Sequence, residues 1–553
     1  MTSPNSRALL GPWRLLAVVL LGVYAAWLAV GIFPISPVEG DEQGVINGAT
    51  AMARGEVAYL DMAYLPEVQP GAYILLSTLS RWSGLPVEAI FAFGTVTGAV
   101  LFALLAARLL ARVMGIPFLV ALGGLLWCQE ISAAAYYMNT TSLGMWLTFA
   151  ALWLACRPAD WRTCTGMVVC IAFAGWIRID CLLPTPAVPV LLFAASRNLR
   201  MTIKATATVA GGSLVLTWIL YGASGVTPAD LLGIYSGRGA IEGWWPTLRS
   251  MPLLLSPLLC VLVVTGCVLF VVRREWLLLV LAAAGTGVTL PLYGTSLAST
   301  KYFYHLVPFF LLAALYTGKV VLRSVTKASA WADRRVRLGL AGGVALLALA
   351  DQSLGLLTSS PEFRRYNPAP TLATLVTFHG PRRMARLVIG PGEIIPTTDG
   401  FRLRTGALFA PWVWRREKIA MLAQLRQFAV ILRAAPPTTV YFSGWLPYQM
   451  VVRVLRAEGW VFKTGTLAPT TMPYVGDWEG NGHRVHIDYL AYQTSQFFRP
   501  GSHPENPTGE QTFFVGDLSG IQPITELADQ RHWVPLWPEH LYRFVTFFQR
   551  RKD

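Results

Sequence analysis

The sequence predicts a mainly α-helical, polytopic membrane protein with a small C-terminal α/β domain outside the membrane. Three observations predict it. Charged residues make up 14% of the 553 and apolar ones 54%, whereas soluble domains are roughly 25% charged. Apolar runs long enough to cross a bilayer, about 18 residues or more, recur along the first two thirds of the chain. Lysine and arginine are concentrated on alternate sides of those runs.

In order, the runs lie near 14–33, 88–110, 116–134, 140–156, 163–178, 181–195, 203–222, 251–272, 276–296, 305–322 and 338–357, about eleven spans. The first, Arg14 to Phe33, is longer than a signal-peptide core and lacks a small-residue cleavage site, so it reads as a retained span. The runs 163–178 and 181–195 are short and separated only by "RID". Within the external loop 34–87, "GAYILLSTLSRW" (71–82) is apolar but too short to cross and reads as an interfacial or re-entrant helix.

With the N-terminus inside, the inside segments hold 17 lysines and arginines. The outside segments hold six: Arg54, Arg81, Arg178, Arg238, Arg249 and Lys301. That asymmetry favours an odd span number, a cytoplasmic N-terminus and an extracytoplasmic C-terminus in a bacterial inner membrane. Residues 1–357 then form the membrane domain and 358–553 the soluble one. In the latter, "TTVYFSGWLPYQMVVRVLRAEGWVFKTGTL" reads as strand, turn, amphipathic helix, strand.

Composition also excludes several classes. The net charge of +15 divides almost evenly between the two parts, with acids and bases intermixed, so no nucleic-acid partner is expected. No GxxxxGK[ST] sequence occurs, and no nucleotide cofactor is expected. The seven cysteines all lie in or beside apolar runs, which argues against a disulfide framework or CxxC metal site in the tail.

The external loop after the first span gathers Glu39, Asp41, Glu42, Glu56, Asp61 and Glu67, six of the thirty carboxylates. Adjacent carboxylates at a membrane surface can take a proton from an acceptor hydroxyl while a neighbour holds a metal or positions the donor. Residue chemistry alone reads them either that way or as solvated loop charges. The following "QGVINGATAMARGEV" places Val45, Ala49, Met52 and Ala53 at helical spacing, as in a surface-lying helix.

An Asp-Glu pair soon after the first span, a helix ending in "RGEVAYLDM" and a carboxylate ahead of "QPGAYILL" resemble the first external loop of the GT-C glycosyltransferases. The narrower likeness is to the protein O-mannosyltransferase and aminoarabinose-transferase superfamily. "AGWIRIDCLLPTPAVPVLL" and "STKYFYHLVPFFLLAALY" are similar to that family's short helix pair and late loop-to-span junction. The resemblance covers 1–357 and implies a GT-C-like fold with external interfacial helices. It implies a hexosyl- or pentosyltransferase, inverting, that moves a sugar from a polyprenyl-phosphate donor to a lipid, glycan or protein acceptor. Asp41 matches the family's catalytic base, Glu42 its partner, and Glu67 a second loop carboxylate that in some members helps hold a divalent metal or substrate. The chain departs from the family where a basic residue often follows, having Val68-Gln69.

Departing phosphate needs positive charge, and outside cations are few. Arg178 and Lys301 lie at span ends, with Tyr302 and Tyr304 beside the latter; Arg238 in "YSGRGAIEGWWP" is a third candidate. The plainer reading of Arg178 is an ion pair with Asp180, and that of Lys301 a snorkelling lysine in an aromatic belt. His305 is a candidate metal ligand with Glu67 or Asp41, or an ordinary interfacial residue. His483 and His486, three apart in "HRVHIDY", would face opposite sides of a strand, which disfavours a shared metal. Glu130, late in the third run, needs a partner or an outer-surface position.

Two other classes remain. A transporter or flippase would carry ionisable groups at mid-span and broken helices in repeats, whereas the candidates here cluster at span ends. A non-catalytic assembly protein of the same fold would keep the architecture and lack sugar transfer.

Overall fold

In a computed structural model, the described residues are 10–34, 40–56, 69–128, 138–227, 257–289, 304–326, 343, 346–347, 355–359, 374–379, 384–390, 410–434, 438–443, 445–466, 475–480, 482–489, 511–516, 533–536 and 546–550. The membrane domain comprises α1 (Leu10–Ile32), α2 (Gly40–Arg54), α3 (Pro70–Ser83), α4 (Val87–Met114), α5 (Phe118–Trp127), α6 (Thr140–Ala155) and α7 (Trp161–Ile177). A 3-10 turn, Ile179–Leu182, leads to α8 (Ala187–Ser196), followed by α9 (Leu199–Ala223), α10 (Pro257–Val272) and α11 (Trp276–Thr286). A second 3-10 turn, Tyr304–Leu306, opens α12 (Val307–Thr326).

Ten of the eleven expected runs coincide with these helices. Among the described residues, Arg14–Ile32, Val87–Met114, Ile179–Ser196 and Leu199–Ala223 are long and apolar enough to cross a membrane. The eleventh run differs at its end, because Gly355–Ser359 is a β-strand; most of the rest of that run lies outside the described residues. The short segment between the first and second spans is helical over 14 residues, with Pro70 to Tyr73, Leu76 and Ser77 buried.

Helix ends follow local chemistry. Asn139, Asp160 and Asn198 precede α6, α7 and α9, and each side-chain oxygen accepts a bond from an N–H three residues on, at 2.7, 2.7 and 3.1 Å. Gly84 ends α3 in the left-handed region at φ 70°, where a side chain would be strained.

Small residues set the packing between helices, as expected where lipid removes the hydrophobic drive between spans. A Cβ at Gly98 of α4 would collide with the Ser142 carbonyl of α6, and one at Gly266 of α10 with the Ala313 carbonyl of α12. Around these contacts Phe102 meets Phe149 edge-on at 4.7 Å.

The bundle has two unlike ends. Running from α2 and α3, α4 leads away to Met114, whose carbonyl accepts a 2.6 Å bond from Lys319 late in α12. The far end therefore collects Arg108, Arg112, Arg157, Arg162 and Lys319, while Arg54, Arg81 and Arg178 lie at the end bearing α2 and α3.

The C-terminal part carries two sheets. β1 (Gly355–Ser359), β2 (Thr374–His379) and β3 (Met384–Gly390) form an antiparallel sheet in the order β1-β3-β2. Helix α13 (Ala410–Ala434) precedes β4 (Thr438–Ser443), α14 (Trp445–Ala457) and β5 (Val461–Thr466), the expected strand–helix–strand unit. With β6 (Val475–Gly480), β7 (His483–Tyr489), β8 (Gln511–Gly516), β9 (Trp533–Pro535) and β10 (Thr546–Arg550) they build a seven-stranded sheet, order β5-β6-β7-β4-β8-β10-β9. β4 is central and parallel to both neighbours. Its Val440 is buried, and Phe428 of α13 packs edge-on against Phe513 of β8 at 5.6 Å.

Gly98→Val should destabilise the bundle by about 1–3 kcal/mol through overpacking. A glycine with open space around it, Gly123, should accept alanine with little change. Thermal unfolding in detergent checks the pair; equal shifts would contradict close α4–α6 packing.

Candidate functional site

The acidic loop is helical from Gly40, which places Asp41 and Glu42 in the first turn of α2. Of the expected apolar face, Val45 and Ala49 are buried and Met52 and Ala53 half-buried, and Ile46 and Ala51 are buried beside them. α2 packs on α3, and two cations grip it. Arg81 of α3 donates from Nε to the Ala53 carbonyl at 2.9 Å and from Nη2 to the Met52 carbonyl. Those carbonyls belong to the last turn, which lacks intrahelical donors.

The second cation comes from the soluble part. Arg456 of α14 donates to the Asn47 carbonyl and to the Glu56 carboxylate, each at 3.0 Å. Arg453, one turn earlier, feels the charge of Glu88 in the first turn of α4. Arg415 of α13 reaches the Phe33 carbonyl at 2.9 Å, at the exit of α1. The helix carrying the acidic pair is thus held between bundle and soluble part.

Beneath it lies a buried polar network centred on Arg178, which follows α7 in an extended conformation. Arg178 and Asp180 are 7% and 6% exposed. The guanidinium meets Asp180 Oδ2 from Nε at 2.8 Å and from Nη2 at 2.7 Å. Its Nη1 donates to Gln69 Oε1 at 3.1 Å and Thr140 Oγ1 at 3.0 Å, and the Thr140 hydroxyl donates to Gln69 Oε1 at 2.9 Å. Thr148 of α6 binds the Cys181 carbonyl at 2.6 Å, fixing the same 3-10 turn. Four segments therefore meet at one guanidinium: the entries to α3 and α6, the exit of α7 and the turn after it.

His305, in the turn before α12, is buried and shares a 2.8 Å bond between Nε2 and the Thr289 hydroxyl. It lies within electrostatic reach of Asp180. Its Nδ1 has no partner among the described residues. No group of three or more His, Cys, Asp or Glu that could hold a metal occurs among them either. One imidazole nitrogen does not make a metal site. In the sheet, His486 pairs with Asp477 at 2.7 Å, while His483 lies an odd number of residues away along the strand. Burial raises the Asp477 pKa, but hydrogen bonds from Arg484 and His486 outweigh it and hold the carboxyl below its ordinary value.

The structure thus buries both Arg178 and His305, with His305 in electrostatic reach of Asp180, the partner of Arg178. Arg178 realises the ion pair with Asp180, and Arg54, Arg81 and Arg178 all have protein partners. Glu67, Glu130, Arg238, Lys301 and Tyr302 lie outside the described residues, as does any description of the side chains of Asp41, Glu42 and Tyr304. Sequence reasoning missed Gln69, Thr140 and Arg456. Gln69 had a signal, since it occupies the place where a basic residue was expected. Arg456 had none, being separated from Asn47 by 409 positions.

An apolar cavity of about 730 Å³ opens beside this network, lined by Ile179, Leu182, Pro186, Val209, Trp218 and Tyr221. A second, of about 720 Å³, shares Pro189, Thr206 and Ala210 with it and continues between α8, α9 and α11 to Arg197.

No family model matches the sequence, and no curated protein does. Among solved structures, ArnT from Cupriavidus metallidurans in the apo state is similar at TM-score 0.52 and 12% identity, over 98% of each chain. A structure of ArnT from the same organism bound to undecaprenyl phosphate gives TM-score 0.48 and 10% identity, over 98% of each. The apo likeness shows a GT-C-like fold for this chain.

Arg178→Ala should cost about 3–5 kcal/mol, because Asp180 is left as an unpaired buried charge, whereas Arg178→Met with Asp180→Leu should recover most of it. Thermal unfolding of the three proteins checks the pair. Arg456→Ala removes two bonds from α2 and should raise amide exchange across 44–54 about tenfold while leaving 99–110 unchanged. Uniform protection in α2 would show that the soluble part does not hold it.

Proposed function

We propose that this chain is a membrane glycosyltransferase. It would move a sugar from a polyprenyl-phosphate-linked donor to a lipid, glycan or protein acceptor at the face bearing the soluble part. The observation that carries the reading is one of placement, within a GT-C-like fold. The acidic helix α2 lies over the bundle's polar end, and there an apolar cavity begins at Ile179, beside Arg178. A lipid-linked donor needs an apolar path that ends at charged groups.

Asp41 is the general base. Its carboxylate takes the proton of the acceptor hydroxyl as that oxygen attacks the anomeric carbon; the bond to the phosphate oxygen breaks on the opposite side, giving inversion. Asp41 lies in the first turn of α2, and negative charge is favoured at a helix N-terminus. Glu42 is its partner in orienting the acceptor. The leaving polyprenyl phosphate gains charge, which Lys301 and Arg238 offset, with Tyr302 and Tyr304 donating hydrogen bonds. Arg178, committed to Asp180, Gln69 and Thr140, acts here as an organiser of the phosphate end. Glu67 and His305 are the residues that would hold a divalent cation, which would add positive charge beside the phosphate.

Asp41→Asn should leave expression unchanged and lower transfer about 10²–10⁴-fold, the range for a positioned base. Mass spectrometry of lipid-linked sugars and surface glycans, in a deletion strain complemented by each form, reads this out. Unchanged transfer would remove Asp41 from the mechanism, and lipid movement without transfer in reconstituted vesicles would replace the enzyme reading with a transporter.

A further inference from the structure

The far end of the bundle carries a cluster that sugar transfer does not use. Arg157, in the turn after α6, lays its guanidinium over the Trp153 ring at 3.8 Å from the centroid. Arg108 of α4 approaches the same ring at 5.9 Å. The two positive centres therefore lie within about 10 Å of each other, a separation comparable to the screening length of about 8 Å at physiological ionic strength. Arg112, one turn beyond Arg108, points Nη2 at the Cys156 carbonyl at 3.5 Å. Two guanidiniums thus share one indole, a third lies at the carbonyl of the residue before Arg157, and all three residues are exposed.

Such a gathering of like charge favours an anion beside it. The described carboxylates at this end are engaged elsewhere. Asp160 caps α7 by accepting from the Thr163 amide at 2.7 Å, and Glu275 accepts from the Tyr316 hydroxyl at 3.2 Å. No ion pair joins Arg108, Arg112 or Arg157 to a carboxylate among the described residues. The surroundings are those of a membrane–water interface: neighbouring Trp161 is 72% exposed, with the Arg162 guanidinium 5.4 Å from its ring centre.

We propose that Arg108 and Arg157, which share the Trp153 ring, and Arg112 at the Cys156 carbonyl bind the phosphodiester headgroup of an anionic phospholipid in the leaflet opposite the soluble part. Planar guanidiniums match phosphate oxygens in pairs, and basic pockets between helix ends at this depth take anionic headgroups. The Trp153 face holds two of the guanidiniums in place before the lipid arrives. Bound there, the lipid ties the end of α4 to the end of α6. This site stands independently of the glycosyltransferase reading.

The test uses the full chain in an uncharged detergent, titrated with dioctanoyl phosphatidylglycerol, dioctanoyl phosphatidylcholine or inorganic phosphate, with native mass spectrometry and tryptophan fluorescence as readouts. The phosphatidylglycerol should bind at least about tenfold more tightly than the phosphatidylcholine and displace more readily at high salt, as charge-assisted bonds require. Arg112→Gln with Arg157→Gln should weaken it about tenfold, while the corresponding double lysine variant keeps most of the binding. Arg108→Gln alone gives a second reading if the double variant does not fold. Equal binding of the two lipids, or undiminished binding by the glutamine variants, overturns the proposal. Inorganic phosphate binding as tightly as the lipid assigns the cluster to a soluble anion and overturns it as well.

Discussion

A buried guanidinium cannot remain where it is unless every direction around it is answered, and that requirement organises the polar end of this molecule. Arg178 sits at the exit of α7 with Asp180 two residues on, so the charge is neutralised locally. Its remaining reach goes to Gln69 and Thr140, which belong to segments 109 and 38 residues away in sequence. Each of those segments starts a helix. The entry angles of α3 and α6, and the break between α7 and α8, therefore share one electrostatic constraint. Close helix packing through glycine then carries that geometry down the bundle.

The soluble part enters the same construction from above. α2 has glycines at 40, 44 and 48 and is followed by Gly55, so its persistence depends on tertiary contacts rather than on propensity. Arg81 supplies one set from within the loop, and Arg456 supplies another from α14. The parallel pairing of β4 with β7 and β8 matters here, since it seats the helix that follows β4 against α2. The acidic pair is thus presented by a helix stabilised from two sides.

Much of this was legible in the sequence, and the reasons for the rest are physical. Apolar runs fix helices because burial in lipid depends on composition, so ten of eleven runs coincide with helices, though single ends differ by up to ten residues, as in 276–296 against Trp276–Thr286. The eleventh ended wrongly because "GLLTS" is apolar enough for a span and β-prone enough for a strand; pairing with β3 decides it. The amphipathic spacing of Val45 and Ala49 correctly gave the buried face of α2. The Arg178 network was half visible: an arginine and an aspartate two apart announce a pair, but nothing local announces Gln69 or Thr140. Long-range partners such as Arg456 leave no periodic trace. Arginine on an amphipathic helix reads as solvated until the opposing surface is known.

The bond between Arg456 and Asn47 also has a consequence in time. A chain emerging from the ribosome at about 5–20 residues per second presents Asn47 long before Arg456, which lies 409 positions later. During that interval of tens of seconds the acidic helix has only its neighbours in the loop to hold it. Its full set of contacts forms only after the soluble part has been made and has folded. Completion of synthesis and the clamping of the acidic helix thereby become linked, and a truncated chain would leave that helix without this clamp.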